Sequence, residues 1–496
     1  MVDWLYQKSS YQSTRTDYSS LEGFVSGDLF ELPAGAVQLA AGAQSRKEHY
    51  KIQGSAFQRT ASTEFPTASA SGGPANLDYN SAQINGVRGK SISESQVNSV
   101  FFETLVPLLD NLELTVAARY EDFKDLDVSA AVPKVSIRYT PIDSLSLRAS
   151  AGQGFLAPTL SEVTAVDNPS CGEVFSGNDP ALDGRLAGTL SCSDGNPLLD
   201  PEESTIYNIG ATWKATDDLE LSLDYQVIDY QDRIIRLSQQ DVLRVDLGNF
   251  LTSRGLTIDE WNDLVENDLT AAENLFRPWV DNGEGNPDII RNADLSVNQV
   301  TRKPGNVANV EVDVVDFRIK YNLDMGAAGF LSANWSTTWY SKYDYLDPFG
   351  DTADAAGKQN GQTDIAPPIS EFNHQLNLGW LINNHNIGFT INHASEMEFD
   401  ASTGPSWGGG LGYTGDINGF NTPPAGPEKI DAYTVVDFRY GYEFEEAFNG
   451  SLNLSLGANN LFDKEPQALP VVGGLETRTQ DPIGRTYFVQ ATYTFE

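Results

Sequence analysis

Cysteine, methionine and histidine are nearly missing from this chain of 496 residues, which holds two, three and four of them. Cys171 and Cys192 have no histidine near them, and His49, His374, His385 and His393 show no metal-ligand spacing, so a zinc centre is not expected. No run of 18 apolar residues occurs. That excludes a transmembrane helix, though not a membrane β-barrel, in which only alternate strand residues meet lipid. Basic residues are in deficit too: 32 Lys and Arg face 69 Asp and Glu, a formal net charge of −37. Nucleic acid is therefore not an expected partner, because binding it requires cations against phosphate. No Ser/His/Asp or Cys/His arrangement stands out, and no enzyme is expected. Met1-Val2-Asp3-Trp4 has neither a basic segment nor an apolar core, so no signal peptide is read there.

What the chain does have is alternation. In the last segment, Tyr487, Val489, Ala491, Tyr493 and Phe495 fall on one side, and Thr486, Gln490, Thr492 and Thr494 on the other, with Phe488 the one large apolar intruder. Period two with one apolar face is a half-buried strand, and ten residues suit a tilted strand crossing a bilayer. Leu112, Leu114, Val116, Ala118 and Tyr120 alternate with Glu113, Thr115 and Arg119. Leu219, Leu221, Leu223, Tyr225 and Val227 alternate with Glu220, Ser222, Asp224 and Gln226, and Leu452, Leu454 and Leu456 with Ser451, Asn453 and Ser455. A charge facing lipid near mid-membrane costs about 2–4 kcal/mol, so the charged set must face a wet lumen. About fifteen strands are predicted: 24–32, 37–52, 96–106, 112–123, 132–140, 145–155, 205–214, 219–237, 307–323, 329–345, 371–382, 386–399, 430–442, 450–459 and 486–495. The fold class that follows is all-β, a transmembrane antiparallel β-barrel in contact with outer-membrane lipid.

The connections alternate between tight turns and long polar loops at 53–95, 156–202, 238–306, 346–370, 400–429 and 460–485. Outer-membrane barrels sort their connections in this way, short on the periplasmic side and long on the extracellular side. On that orientation residues 1–23 are the remnant of an extracellular loop and 24–496 are barrel. Cys171 and Cys192, both in one polar loop, are expected to pair as a disulfide in an oxidising compartment. Acidic residues crowd the loops, at Asp179–Asp183, Asp259–Asp268, Asp281–Asp288 and Asp344–Asp354. They solvate the loops; the sharper reading is that they bind a divalent cation such as Ca2+, directly or as a bridge to anionic lipid. Thr257-Ile258-Asp259-Glu260 is a capping box, which predicts a loop helix with Trp261, Leu264 and Val265 on its apolar face.

Three segments carry a resemblance. GQGFLAPTLSEV, with Gly154, Phe155 and Pro158, resembles a signature of the TonB-dependent outer-membrane receptors. GNPLLDPEESTIYNIG, with Asn196, Pro197, Pro201 and Glu202, resembles a second element of that family, and NNLFDKEP, with Asn460, Leu461, Phe462 and Asp463, a third. Their order and spacing match, and the resemblance covers nearly the whole chain. Glycines permit close approach or a bend, Pro158 ends strand pairing, Pro197 and Pro201 hold the returning loop extended, and Asn460 and Asp463 suit bonds to the backbone at the rim, so structural roles are expected for all three. The resemblance implies a 22-stranded barrel around an N-terminal plug that engages the TonB complex. This chain reads as about fifteen strands of such a barrel, its C-terminal part, without plug or TonB-binding segment.

The same resemblance implies active uptake of a scarce nutrient across the outer membrane of a Gram-negative bacterium, with iron–siderophore complexes, cobalamin and oligosaccharides as candidate cargoes and no resident cofactor. Aromatic faces at a wet mouth suit such ligands, which singles out Trp407, Tyr413 and Phe420 in the most aromatic loop and Trp339 and Tyr340 toward the long-loop end of their strand. Arg119 and Arg148 are expected on the lumen face, paired with carboxylates. A passive pore or structural barrel is the second reading, and a soluble all-β carbohydrate enzyme the third, for which the pair Glu202/Glu203 is placed in a solvated loop.

Overall fold

The computed structural model describes residues 12–54, 90–126, 128–164, 170–173, 179–182, 186, 188–346, 352–359, 369–399, 429–445, 449–469, 475–477 and 479–495. Six strands come first: β1 (Gln12–Leu32), β2 (Gly35–Gly54), β3 (Lys90–Leu109), β4 (Leu112–Phe123), β5 (Val128–Ile142) and β6 (Leu145–Leu156). A single helical turn, α1 (Leu160–Val163), precedes the short strands β7 (Ser170–Glu173) and β8 (Leu190–Ser193). After β9 (Glu202–Lys214) and β10 (Leu219–Arg236) come α2 (Gln239–Arg254), α3 (Ile258–Asn267), α4 (Leu269–Asp281), β11 (Ile289–Arg291) and β12 (Val297–Arg302). The remainder is β13 (Pro304–Asp324), β14 (Phe330–Leu346), β15 (Thr352–Asp354), β16 (Lys358–Gln359), β17 (Phe372–Ile382), β18 (His385–Ala394), β19 (Met397–Phe399), β20 (Lys429–Ile430), β21 (Tyr433–Phe444), β22 (Gly450–Asn459) and β23 (Thr486–Phe495).

Fifteen of these strands form one antiparallel barrel wall in the order β1-β2-β3-β4-β5-β6-β9-β10-β13-β14-β17-β18-β21-β22-β23, with β15 added beside β14. Each wall strand pairs with its neighbour in sequence, as in an up-and-down meander. β1 pairs only with β2 and β23 only with β22 among the described residues, so the wall has two edges. All fifteen wall strands expected from alternation are present. The largest difference is at the start: β1 begins at Gln12, so 12–23, expected in a loop, is strand. Thr16 lies opposite Tyr50 and Ser20 opposite Arg46. This stretch is largely polar on both faces, so it shows no period; the backbone ladder holds it, with a side-chain bond from Gln44 Nε2 to Glu22 Oε2 at 2.7 Å. The segment 386–399 likewise divides: β18 ends at Ala394, and β19 joins β16 and β20 in a separate sheet.

Register sorts the side chains. On one face β10 carries Leu221, Leu223 and Tyr225, opposite Ile319, Phe317 and Val315 of β13, and on the other Ser222 and Asp224 lie opposite Arg318 and Asp316. On the apolar face, aromatics mark two levels: Tyr207 and Trp213 on β9, and Tyr487 and Tyr493 on β23, each pair six residues apart. At about 3.3 Å per residue that is about 20 Å along a strand, the scale of a lipid-facing band between two interfacial girdles. Phe488, the intruder on the polar face, lies over Gly457, where an added Cβ would come 2.4 Å from its ring. The glycine is the space that admits the ring.

Tight turns lie at one end of the wall, and Asn383 and Asn449 take left-handed φ of 49° and 66° there, a conformation asparagine tolerates. At the opposite end the connections β6–β9 and β10–β13 fold together. Their four-stranded sheet, β11-β12-β8-β7, pairs β12 parallel to β8, and α2, α3 and α4 pack around Phe250, Trp261, Phe276 and Trp279. The expected helix at 258 is α3: Thr257 N donates to Glu260 Oε2 at 2.9 Å and Glu260 N to Thr257 Oγ1 at 3.3 Å. The expected disulfide Cys171–Cys192 joins β7 to β8.

Candidate functional site

The polar face is held in order by ion pairs. Arg119 Nε meets Glu121 Oε1 at 2.5 Å, and Arg46 Nη2 meets Glu121 Oε2 at 3.2 Å. Arg119 also donates to Ser99 Oγ at 2.8 Å and Gln44 Oε1 at 3.0 Å, and lies over Phe101. Arg148 Nε donates to Asp224 Oδ1 at 2.8 Å, and Arg138 pairs with Glu113. Both arginines expected in the lumen therefore face it with carboxylate partners. The one of these charges that is buried, Glu121, is tolerable there because it is paired and hydrogen-bonded.

Toward the long-loop end a cleft of about 910 Å³ opens on this face, lined by Thr338, Asn373, Gln375, Asn392, Asp437 and Asn460 among others. Its floor is an amide ladder. Gln375 Nε2 donates to Asn392 Oδ1 at 2.9 Å, Asn377 Nδ2 to Gln375 Oε1 at 3.0 Å, and Thr390 Oγ1 to Asn377 Oδ1 at 2.9 Å. Carboxamides carry donors and acceptors together, so the surface can hydrogen-bond a polar solute without fixing its charge. A smaller cleft of about 470 Å³ lies between Arg46, Arg119 and Glu121 and the turn from Gly154 to Leu160.

Beside these clefts stands the folded cap of loops. Arg236 Nη1 donates to the carbonyls of Asp194 at 2.6 Å and Arg302 at 2.7 Å, and Asn306 Nδ2 to those of Asp200 at 2.8 Å and Asp232 at 2.7 Å. Asp246 in the cap is buried, and that burial raises its pKa, while hydrogen bonds from Asn286 N at 2.8 Å and Trp279 Nε1 at 3.2 Å pull the other way.

The family-motif residues serve this framework. Phe155 meets Phe123 edge-on at 5.6 Å, Pro158 is buried, and a Cβ on Gly154 would come 2.7 Å from Ser204 Oγ. Asn196 Nδ2 donates to Pro304 O at 2.9 Å, while Pro197 is exposed and Pro201 half-buried just before β9. Glu202, expected in a loop with Glu203, stands on β9, and its Oε1 accepts from Ile234 N at 2.8 Å. Asn460 takes a φ of 50° and accepts from Lys464 N at 2.7 Å. Leu461 N donates to Val436 O at 2.7 Å, and Asp463 Oδ1 accepts from Arg485 N at 2.9 Å. Phe462 projects, 73% exposed.

The candidate ligand aromatics separate. Trp339 and Tyr340 are neighbours, so they lie on opposite faces. Trp339 is on the apolar face, stacked on Phe372 at 5.7 Å and 5°, which removes it from the cleft. Tyr340 is on the polar face, packed against the buried cluster of Val310, Val312, Val314, Tyr343 and Tyr345. Trp407, Tyr413 and Phe420 lie outside the described residues. Two acids of the run 344–354 are answered by lysines, Asp344 by Lys342 at 3.5 Å and Asp354 by Lys358 at 3.2 Å. Among the described residues no group of three or more His, Cys, Asp or Glu is arranged around a metal position. The amide ladder was missed in sequence reading, because polar lumen residues of this kind alternate like any others. Helix α2 was missed although Ser238 and Asp241 form a capping box and Gly255 closes the helix with a φ of 65°.

A family model described as "TonB dependent receptor-like, beta-barrel" matches residues 2–461. No curated protein matches by sequence. Among solved structures, the siderophore receptor PirA from Acinetobacter baumannii is similar at 16% identity and a TM-score of 0.59, over 97% of this chain and 55% of that one. A mutant of the ferric enterobactin receptor PfeA from Pseudomonas aeruginosa, in complex with enterobactin, is similar at 15% identity and a TM-score of 0.58, over 96% of this chain and 54% of that one. PirA from Pseudomonas aeruginosa is similar at 14% identity and a TM-score of 0.51, over 98% and 58%. At such identities these likenesses are of fold. The chain spans about half the length of the structures it matches.

Proposed function

The chain belongs to the TonB-dependent receptors, and from that membership we propose that it walls the route by which an iron–siderophore complex is taken up across the outer membrane of a Gram-negative bacterium. The observation that carries this reading is the sorting of the fifteen-strand wall: apolar and girdled by aromatics on one face, amide-lined on the other, with folded loops gathered at one end. A siderophore is favoured over cobalamin or an oligosaccharide because solved structures of similar fold are described as siderophore receptors, one of them with enterobactin bound. The cargo is met by the long loops, Trp407, Tyr413 and Phe420 among them, and by the amide-lined cleft. Tyr340 supports that region from the lumen side. The task is transport: no bond of the ligand breaks, and energy comes from the TonB complex acting on the whole receptor.

Deleting the gene from its host tests the reading. Uptake of one 55Fe-labelled siderophore should stop, as it should when TonB is removed, and return when the gene is restored. Unchanged uptake of every siderophore tried, under iron limitation, would overturn it. Steady large conductance of the chain in planar bilayers would favour a passive pore instead.

A further inference from the structure

Two of the four histidines meet on the apolar face, at the border of the larger cleft, whose lining includes both. His374 of β17 and His393 of β18 are directly opposite each other, with ring centroids 5.6 Å apart and planes at 24°. Each Nδ1 is held by a threonine: Thr337 Oγ1 lies 2.8 Å from His374 and Thr434 Oγ1 lies 2.8 Å from His393. When each hydroxyl accepts an Nδ1–H, both Nε2 lone pairs are left over, and among the described residues neither Nε2 has a hydrogen-bond partner. An acceptor behind Nδ1 that fixes tautomer and ring orientation is the usual support of a metal-binding histidine. Interfacial stacking accounts for Trp339 on Phe372, but not for two imidazoles with matching supports.

We propose that His374 and His393 form a two-histidine site for a borderline divalent cation of the Cu2+, Ni2+ or Zn2+ class, on the lipid-facing side at the long-loop end of the wall. A metal about 2.0–2.1 Å from each Nε2 sets the ring centroids roughly 4.5–6.5 Å apart, for N–metal–N angles from cis to trans. The observed 5.6 Å lies within that range. Imidazole nitrogens select this class over Ca2+ and Mg2+, which demand oxygen. Glu371, beside Phe372, accepts from Trp339 Nε1 at 3.1 Å, so the site rests on the two nitrogens. Its remaining coordination positions are open to water or to a headgroup phosphate.

The test titrates the full chain in detergent with Cu2+ alone, read by calorimetry and by nitrogen hyperfine coupling in the electron paramagnetic resonance spectrum. One equivalent with two coupled nitrogens is expected. His374→Gln and His393→Gln should each weaken binding at least about tenfold and remove one coupling, Thr337→Val should weaken it roughly tenfold, and His385→Gln should change nothing. On the unmutated chain, Zn2+ should protect His374 and His393, but not His385, from diethylpyrocarbonate. Equal modification of all three with Zn2+ present, or Cu2+ binding that survives both glutamine substitutions, would overturn the proposal.

Discussion

Asp179 and Arg291, 112 residues apart in the chain, meet as an ion pair with side chains only 3% and 2% exposed. Arg291 also donates to Leu295 O at 2.9 Å and lies over the Phe276 ring at 5.0 Å. The pair joins the connection after β6 to the connection after β10, which makes one body of two loops. Removing one partner strands the other charge in a low dielectric. Asp179→Ala should therefore destabilise the cap by about 3–5 kcal/mol. Hydrogen exchange should show loss of protection in α3, α4 and β11 while β21–β23 keep theirs. Unchanged cap protection would count against the buried pair as its keystone.

The Cys171–Cys192 disulfide, with a sequence separation of 21, closes the loop that contains Asp179. Loop-closure entropy makes it worth about 3 kcal/mol to the cap. Mild reduction should open the cap to proteolysis near 171–192 and leave the wall resistant. Equal cleavage before and after reduction would show that packing alone holds the cap.

Asp246 makes the cap sensitive to pH. Burial raises its folded pKa above the ordinary aspartate value of 3.8. A raised folded pKa means that the protonated form is favoured on folding. Its contribution is fully present below 3.8 and is lost as pH rises through the raised folded value. Asp246→Asn, which retains the Oδ1 acceptor for Trp279 Nε1 and Asn286 N, should stabilise the cap at pH 7 and leave it unchanged near pH 3. Chemical denaturation followed by tryptophan fluorescence at the two pH values reads the difference, and destabilisation at pH 7 would refute it.

Leu456 on β22 is 51% exposed on the apolar face, and Thr492 on β23 faces the other way. Leu456→Arg should cost about 2–4 kcal/mol on insertion, near the middle of the bilayer. Thr492→Arg should stay within about 0.5 kcal/mol. Equal costs in refolding into vesicles would mean that the two faces are not sorted by lipid.

Gly457 is closed in from two sides: an added Cβ would come 2.4 Å from the Phe488 ring and 2.6 Å from Phe438 O. Gly457→Ala should lower the thermal midpoint, and adding Phe488→Ala should recover only part of it, because the carbonyl cannot withdraw. Full recovery would place the whole constraint in the ring.

The sequence by itself determined the wall. Lipid on one side and water on the other force polarity to alternate at every step, so Leu452, Leu454 and Leu456 against Ser451, Asn453 and Ser455 were legible without coordinates. Turn chemistry and the capping box at Thr257 were legible for the same reason: each is decided within four residues. Where both faces are largely polar, as along 12–23, that signal vanishes, and only pairing with β2 reveals the strand. The tertiary structure alone decided that Trp339 turns to the lipid side while Tyr340 turns inward, that Arg291 finds Asp179, and that His374 and His393 stand opposite each other. Those are matters of register and long-range packing, set by strands and loops far apart in the chain, and no local pattern encodes them.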